Sequence, residues 1–495
     1  MIWIDSALLW YASYRVCRNR CGWALLWEKL ALAVIFALAV KSLFLFFLVS
    51  SGIRPTAFIQ MGVSVLVLLP TLLLPGSTEN ERDIGEKTGL IWITLLGVGI
   101  LFCLSMVNAW FFPVTESDAT WYHIRGMSFF NEVRFDSEWV VPQLKQYPPF
   151  VPLLFTYLIA FDVEHLKVFF PVLYVCLIII FYSRLLLLTE NRKTACLFTM
   201  ILATTPYFWW QSVLPFLDLT TAVFYSSGSL YWYSWIKNKL DGNHSNQESS
   251  YALAGGILLG LAAWTRIEFL LYDLVPVFLT VYVFSRYPEE DGNAKTVKIF
   301  FLSMLSLPSI WFLNLLTFDM VLWGQVKMLG GVCLFLWFFA LGWTSGKWKF
   351  SEASVRWSFI VALPAYFSLL LVLGAEPIPV WKKIIISLYR TSTVHVFYLF
   401  TASLVIFLFF EKIKDLSEPL KLLGVFLLLF LCTHLVIFTY ATPKWATLGE
   451  FVYATFIQPG NSVNLSDTRG MMSIYPVFIV FMGMLPFVKR RLEND

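Results

Sequence analysis

Residues 116–126 read ESDATWYHIRG and set two carboxylates, a tyrosine, a histidine and an arginine directly after a long apolar run. At 100° per residue, Asp118, Tyr122 and Arg125 share one helix face, while Glu116 and His123 point elsewhere. Two roles are open to Asp118. As a helix N-terminal carboxylate it would meet free amides and the helix dipole, a task that Thr115 or Ser117 could also perform. As a general base beside a low-dielectric wall it would take a proton from a bound hydroxyl. His123 is either an interfacial hydrogen-bonding group or a ligand for metal or substrate.

Other chemistry-bearing residues are scattered far along the chain. Asp218, in WWQSVLPFLDLTTAVF, opens an apolar run with no counter-charge near it in sequence, so it either caps a helix or acts as a functional acid at membrane depth. Arg266 and Glu268, in GLAAWTRIEFLLY, sit at a tight turn as an ion pair, an interfacial anchor or part of a site. Lys382, Lys383 and Arg390 lie among isoleucines in EPIPVWKKIIISLYRTSTVH, which suits an interfacial helix and equally an anionic-lipid contact. Arg469, in SDTRGMMSIYP, precedes the last apolar run and suits either a phosphate beside free helix amides or a lipid headgroup. Walker, Rossmann, HExxH and GxSxG patterns are absent, so nucleotide hydrolysis and the common hydrolase chemistries find no support.

The elements that must position these residues are membrane helices. With 58% apolar and 14% charged residues over 495 positions, the chain has too much hydrophobic surface for a water-soluble core and is expected to be an all-α polytopic integral membrane protein. The net charge of +4 is small and carries no nucleic-acid signal. Five cysteines (Cys103, Cys176, Cys196, Cys333, Cys432) fall in apolar segments, and Cys17 and Cys21 fall in a basic patch, so no disulfide framework is expected. The N-terminal segment lacks a basic stretch ahead of its short apolar run and reads as an interfacial helix.

Arg15, Arg18, Arg20 and Lys29 place residues 15–29 in the cytoplasm, and three crossings at about 30–50, 57–75 and 89–112 bring the chain outside at Pro113. Counting back from Lys489, Arg490 and Arg491 puts the segments 441–470 and 375–392, with Asp218, Arg266 and Glu268, on the same outer side. Of the three apolar runs near 150–162, 166–188 and 194–214, one must not cross, and the first is shorter than the roughly 17 residues a span needs. The total is about 14 transmembrane helices. A surface helix is expected over about 117–131 within the outward loop 113–149, and Tyr147-Pro148-Pro149 predicts an extended segment before re-entry.

These residues together resemble the GT-C glycosyltransferases, in the branch of bacterial enzymes akin to protein O-mannosyltransferases and the aminoarabinose transferase of lipid A. That family's first-loop D-E-x-x-Y is matched by Asp118 and Tyr122, with Ala119 in place of the Glu and Glu116 two residues upstream as a stand-in. Its P-P-L appears as Pro148-Pro149-Phe150, its L-D-P as Leu217-Asp218-Leu219, and its late R-Y-x-x-P-x-x-P loosely as Arg469 with Pro476. The matches span residues 89–480 in order. Residues 1–88 are N-terminal helices of unassigned role, 89–285 a GT-C-like core, and 286–495 the C-terminal transmembrane helices.

The resemblance implies inverting transfer of a sugar from a polyprenyl-phosphate donor to a lipid, glycan or protein acceptor at the outer face of a bacterial inner membrane. Asp118 would deprotonate the acceptor. Arg469, with Lys382, Lys383 or Arg390, would neutralise the leaving phosphate. Tyr122, His123, Tyr147, Arg266 and Glu268 would line the substrate site, and Asp218 would hold sugar hydroxyls or a divalent cation, for which Glu116 and Asp118 are the other candidate ligands. Tyr122, the tryptophans of the first loop and Trp209-Trp210 would stack on sugar faces. The rival classes are a transporter or lipid flippase, which should show matched halves with broken helices, and an O-antigen ligase or polymerase working from a late outward loop.

Overall fold

A computed structural model describes residues 1–22, 24–74, 89–140, 145, 147–242, 248–286, 293–317, 416–441 and 470–494. Among these every regular element is helical. In chain order they are α1 (Ile2–Arg20), α2 (Leu26–Ser50), α3 (Ala57–Leu72), α4 (Leu90–Phe111), α5 (Ser117–Asn131), α6 (Phe150–Ala160), α7 (Phe169–Thr189), α8 (Arg192–Thr204) and α9 (Pro206–Trp210). A short 3₁₀ turn over Gln211–Val213 leads into α10 (Leu217–Leu240), α11 (Glu248–Thr265), α12 (Phe269–Tyr272), α13 (Leu274–Arg286), α14 (Asn293–Thr317), α15 (Glu418–Ala441), α16 (Tyr475–Gly483) and α17 (Pro486–Asn494).

Five stretches among the described residues are long and apolar enough to cross a bilayer: Leu26–Ser50, Leu90–Phe111, Phe169–Thr189, Phe269–Arg286 and Ala294–Leu315. The expectation of about 14 crossings also rests on runs at 320–343, 355–374 and 393–410, which lie outside the described residues. So do 375–392, most of 441–470, and with them Lys382, Lys383, Arg390 and Arg469. The outer helices turn large apolar side chains outward, with Trp92 on α4 73% exposed and Phe58 on α3 84% exposed. Such faces fit a protein whose surrounding solvent is lipid. At 11 residues and about 16 Å, α6 is too short to span the ~30 Å hydrocarbon core, and nearly all of it is buried. It is the short run among the three expected between the first loop and Asp218; of the other two, α7 is long and apolar enough to cross.

The N-terminal helix is more than an interfacial element, because Asp5 on α1 is fully buried. Its carboxylate pairs with Lys41 of α2 at 2.8 Å and accepts hydrogen bonds from Ser64 of α3 at 2.6 Å and Tyr157 of α6 at 2.7 Å. A second buried pair joins Glu28 of α2 to Arg184 of α7 at 2.6 Å, with the Tyr231 hydroxyl of α10 donating to Glu28 at 2.7 Å. Charges removed from water need partners of this kind, so residues 1–72 are tied into the same bundle as the later helices.

Small residues set the closest helix contact. Gly256 and Gly260 of α11 form a G-x-x-x-G face against α14. A Cβ on Gly256 would lie 2.5 Å from the Phe300 carbonyl oxygen and run into the Ser303 side chain, and one on Gly260 would run into the Met304 carbonyl. Backbone approach of this order is what small-residue faces permit in membranes. Gly260→Leu is expected to destabilise the protein by about 2–3 kcal/mol through overpacking, while Gly62→Leu on α3, where nothing lies within 4 Å, should change stability by under about 0.5 kcal/mol. Denaturant titration in detergent measures both, and equal effects would contradict the assigned contact.

Candidate functional site

The expected surface helix forms as α5, and four contacts fix where it lies. Glu116, at its N-terminal boundary, pairs with Lys167 at 3.1 Å. Gly126 lets the helix rest directly on α6, since a Cβ there would sit 2.8 Å from both Pro152 O and Phe155 Cβ. The Thr156 hydroxyl of α6 donates to the Gly126 carbonyl at 3.0 Å. Arg54, from the α2–α3 connection, covers the outer side of α5 with its guanidinium 4.4 Å from the Phe130 ring centre.

Held this way, the first half of α5 faces the N-terminus of α10 and the turn after α11. Arg266 bridges two carboxylates there: its Nη1 lies 2.7 Å from Asp218 Oδ1, and its Nη2 lies 2.7 Å from Glu268 Oε1. Only 4% of the Asp218 side chain and 13% of that of Arg266 are exposed. Burial opposes the guanidinium charge, but the fields of Glu268 and Asp218 outweigh it and hold Arg266 above its usual range.

The two tyrosines of the first loop feel the same charges. Burial, followed by Asp218 and Asp118, pushes the Tyr122 hydroxyl up. For Tyr147 the nearby Glu268 is the main cause and burial the next, with Asp218 and Asp118 also contributing. Both phenols therefore stay protonated and act as donors near neutral pH. The fold thus brings Asp118, Tyr122, Tyr147, Asp218, Arg266 and Glu268 together at one end of the bundle. Among the described residues the cluster gathers three carboxylates, two phenols and the guanidinium of Arg266, groups suited to hydrogen bonding with hydroxyls.

Several expected residues have other partners. Glu116, the stand-in for the missing family glutamate, pairs with Lys167. Ala119, at the position of that glutamate, is fully buried against Val213, Leu214 and Phe216. Position 119 therefore faces an apolar contact. The cation beside Asp218 is Arg266, and among the described residues no three His, Cys, Asp or Glu side chains gather as a metal site requires. A divalent ion held by Glu116, Asp118 and Asp218 does not fit this donor arrangement. His123 packs edge-on against Phe155 with ring centres 5.9 Å apart, on the α6 side of the helix. Trp209 donates its indole N–H to Leu101 O of α4 at 3.2 Å, a helix-to-helix contact, whereas Trp139 is 64% exposed.

Lys167 was not singled out from sequence, although its place in the polar break FDVEHLK between two apolar runs marks it. Arg125 shares the Asp118 and Tyr122 face but is fully buried, donating to Lys145 O at 3.1 Å and lying 5.3 Å from the Phe129 ring centre. Burial draws its guanidinium below the usual range, with Tyr122 opposing that shift. Compared with protein-family models, with curated proteins and with solved structures, the chain matches none.

Burial also lowers His123 from its ordinary 6.5. A histidine with a depressed folded-state value takes up its proton more readily when unfolded, so its contribution is complete above 6.5 and is lost as the pH falls below it. The melting temperature of the wild type should therefore fall on acidification below 6.5, and His123→Phe should flatten that limb. Superimposable profiles for the two proteins would place His123 in a solvated setting.

Proposed function

We propose that the protein is a membrane glycosyltransferase that moves a sugar from a polyprenyl-phosphate donor to an acceptor hydroxyl, in a GT-C-like arrangement of about 14 transmembrane helices, with its site at the extracytoplasmic face of a bacterial inner membrane. The observation that supports it is the convergence of Asp118 and Tyr122 on α5, Tyr147 before α6, Asp218 at the start of α10, and Arg266 with Glu268 after α11.

In this mechanism the acceptor hydroxyl binds at Asp118. The carboxylate takes the hydroxyl proton as the acceptor oxygen attacks the anomeric carbon from the face opposite the phosphate. The bond from the anomeric carbon to the phosphate oxygen breaks, and polyprenyl phosphate leaves with the electron pair, so configuration inverts. Tyr122 and Tyr147, kept protonated, donate to sugar or acceptor oxygens. Asp218 and Glu268 accept from sugar hydroxyls and are held in place by Arg266, whose charge they already neutralise. The leaving phosphate is assigned to Arg469, Lys382, Lys383 and Arg390, outside the described residues, because Arg266 is already paired with Asp218 and Glu268. No step requires a metal ion.

Asp118→Asn removes the base while preserving size. Transfer of labelled sugar from a polyprenyl-phosphate donor to acceptor should fall by about 10²–10⁴-fold with an unchanged melting temperature. Asp218→Asn should chiefly raise the donor KM. Wild-type turnover by Asp118→Asn would overturn the assignment of the base.

A further inference from the structure

At the end of the bundle opposite the candidate site lies an apolar slot of about 380 Å³ walled by α1, α2, α3, α11 and α14. The ends can be told apart by connectivity. Asp218 opens α10 and Arg266 closes α11 beside it at 2.7 Å, so the start of α11, where Ser250 lines the slot, is at the far end. From Ser250 to Leu261, both lining residues, α11 rises about 16 Å at 1.5 Å per residue. That is close to half of the ~30 Å hydrocarbon core, the depth of one leaflet.

The lining is mostly apolar, and its one charged group among the described residues, Arg20, stands with Cys21 and Ser250 at the mouth, while Leu43, Leu261 and Leu307 lie farther along, with the Ser306 hydroxyl beside Leu307. Arg20 is exposed and Cys21 is buried, and near that end Arg15 donates to Leu74 O at 2.6 Å. A water-filled apolar slot of this depth is unfavourable in a bilayer, whose own acyl chains are the nearest apolar material. A cationic mouth on a tail-length slot selects the charge of the headgroup as well.

We infer that this slot is a binding site for one acyl chain of an anionic phospholipid, with its phosphate at Arg20. The site is independent of the transferase reading and faces the other end of the molecule.

The test uses purified full-length protein, delipidated in detergent, titrated separately with dioleoyl phosphatidylglycerol and dioleoyl phosphatidylcholine, with bound lipid counted by native mass spectrometry. One tightly held phosphatidylglycerol per chain is expected, roughly fivefold tighter than phosphatidylcholine, the factor for one basic residue at a membrane surface. Arg20→Gln, at an exposed position, should erase that preference while tail binding persists. Leu253→Trp, filling the slot from a part-exposed position, should remove the held lipid of either kind. Equal retention of the two lipids by the wild type, or full retention by Leu253→Trp, would overturn the site. Displacement of phosphatidylglycerol by millimolar inorganic phosphate would instead mark an anion site that ignores the chain.

Discussion

A charge inside an apolar bundle must meet its counter-charge within that bundle, and the bridge from Asp218 through Arg266 to Glu268 is where this constraint shapes the molecule most. Isolated, each of these groups would face a desolvation penalty of several kcal/mol. Joined, they lock the first turn of α10 to the turn after α11 at 2.7 Å on both sides of the guanidinium. The buried phenol of Tyr122 and the half-buried phenol of Tyr147 both feel the charges of that bridge, so the electrostatics of the candidate site depend on it. The same rule operates at Asp5 with Lys41 and at Glu28 with Arg184, where paired charges fasten the N-terminal helices to α6, α7 and α10.

The chemistry that such a cluster favours follows from its groups. Among the described residues two carboxylates are tied to Arg266 and the phenols of Tyr122 and Tyr147 stand near them, so this part of the pocket is rich in groups that orient hydroxyls. A reaction divided between a carboxylate-lined hydroxyl site and a separate cationic phosphate site is consistent with that arrangement. Deeper in the bundle, Asp5 and Glu28 are each held by a cation and by tyrosine or serine hydroxyls, pairs that fasten helices to one another.

Much of this was legible in sequence wherever one helix carries its own signal. The apolar runs predict the helices to within a few residues, the 100° spacing predicts α5 over Ser117–Asn131, and the brevity of the run at 150–162 predicts the non-spanning α6. Asp118 and Tyr122 share a face because they are four residues apart on that helix. What was not legible is pairing across distance. Asp218 and Arg266 are 48 residues apart and meet only because α10 and α11 return antiparallel in one register, and Glu116 meets Lys167 across 51 residues for a similar reason. The orientation of Ala119 toward Val213, Leu214 and Phe216 depends on how α5 rolls on α6, which Gly126 decides through a backbone contact. Asp5 and Lys41 were not singled out from sequence, although a lone charge in an apolar run is the mark of a buried pair.

The central claim is that the cluster around Arg266 serves bond exchange at a sugar and not passage of a lipid. The most direct measurement is on the wild-type chain reconstituted in vesicles with a doubly labelled polyprenyl-phosphate sugar, labelled in the sugar and in the phosphate, together with a panel of hydroxyl acceptors. Cleavage between the anomeric carbon and the phosphate oxygen, with polyprenyl phosphate released in equal amount to sugar transferred, is the result this account predicts. Movement of the intact doubly labelled donor across the bilayer without cleavage would contradict it.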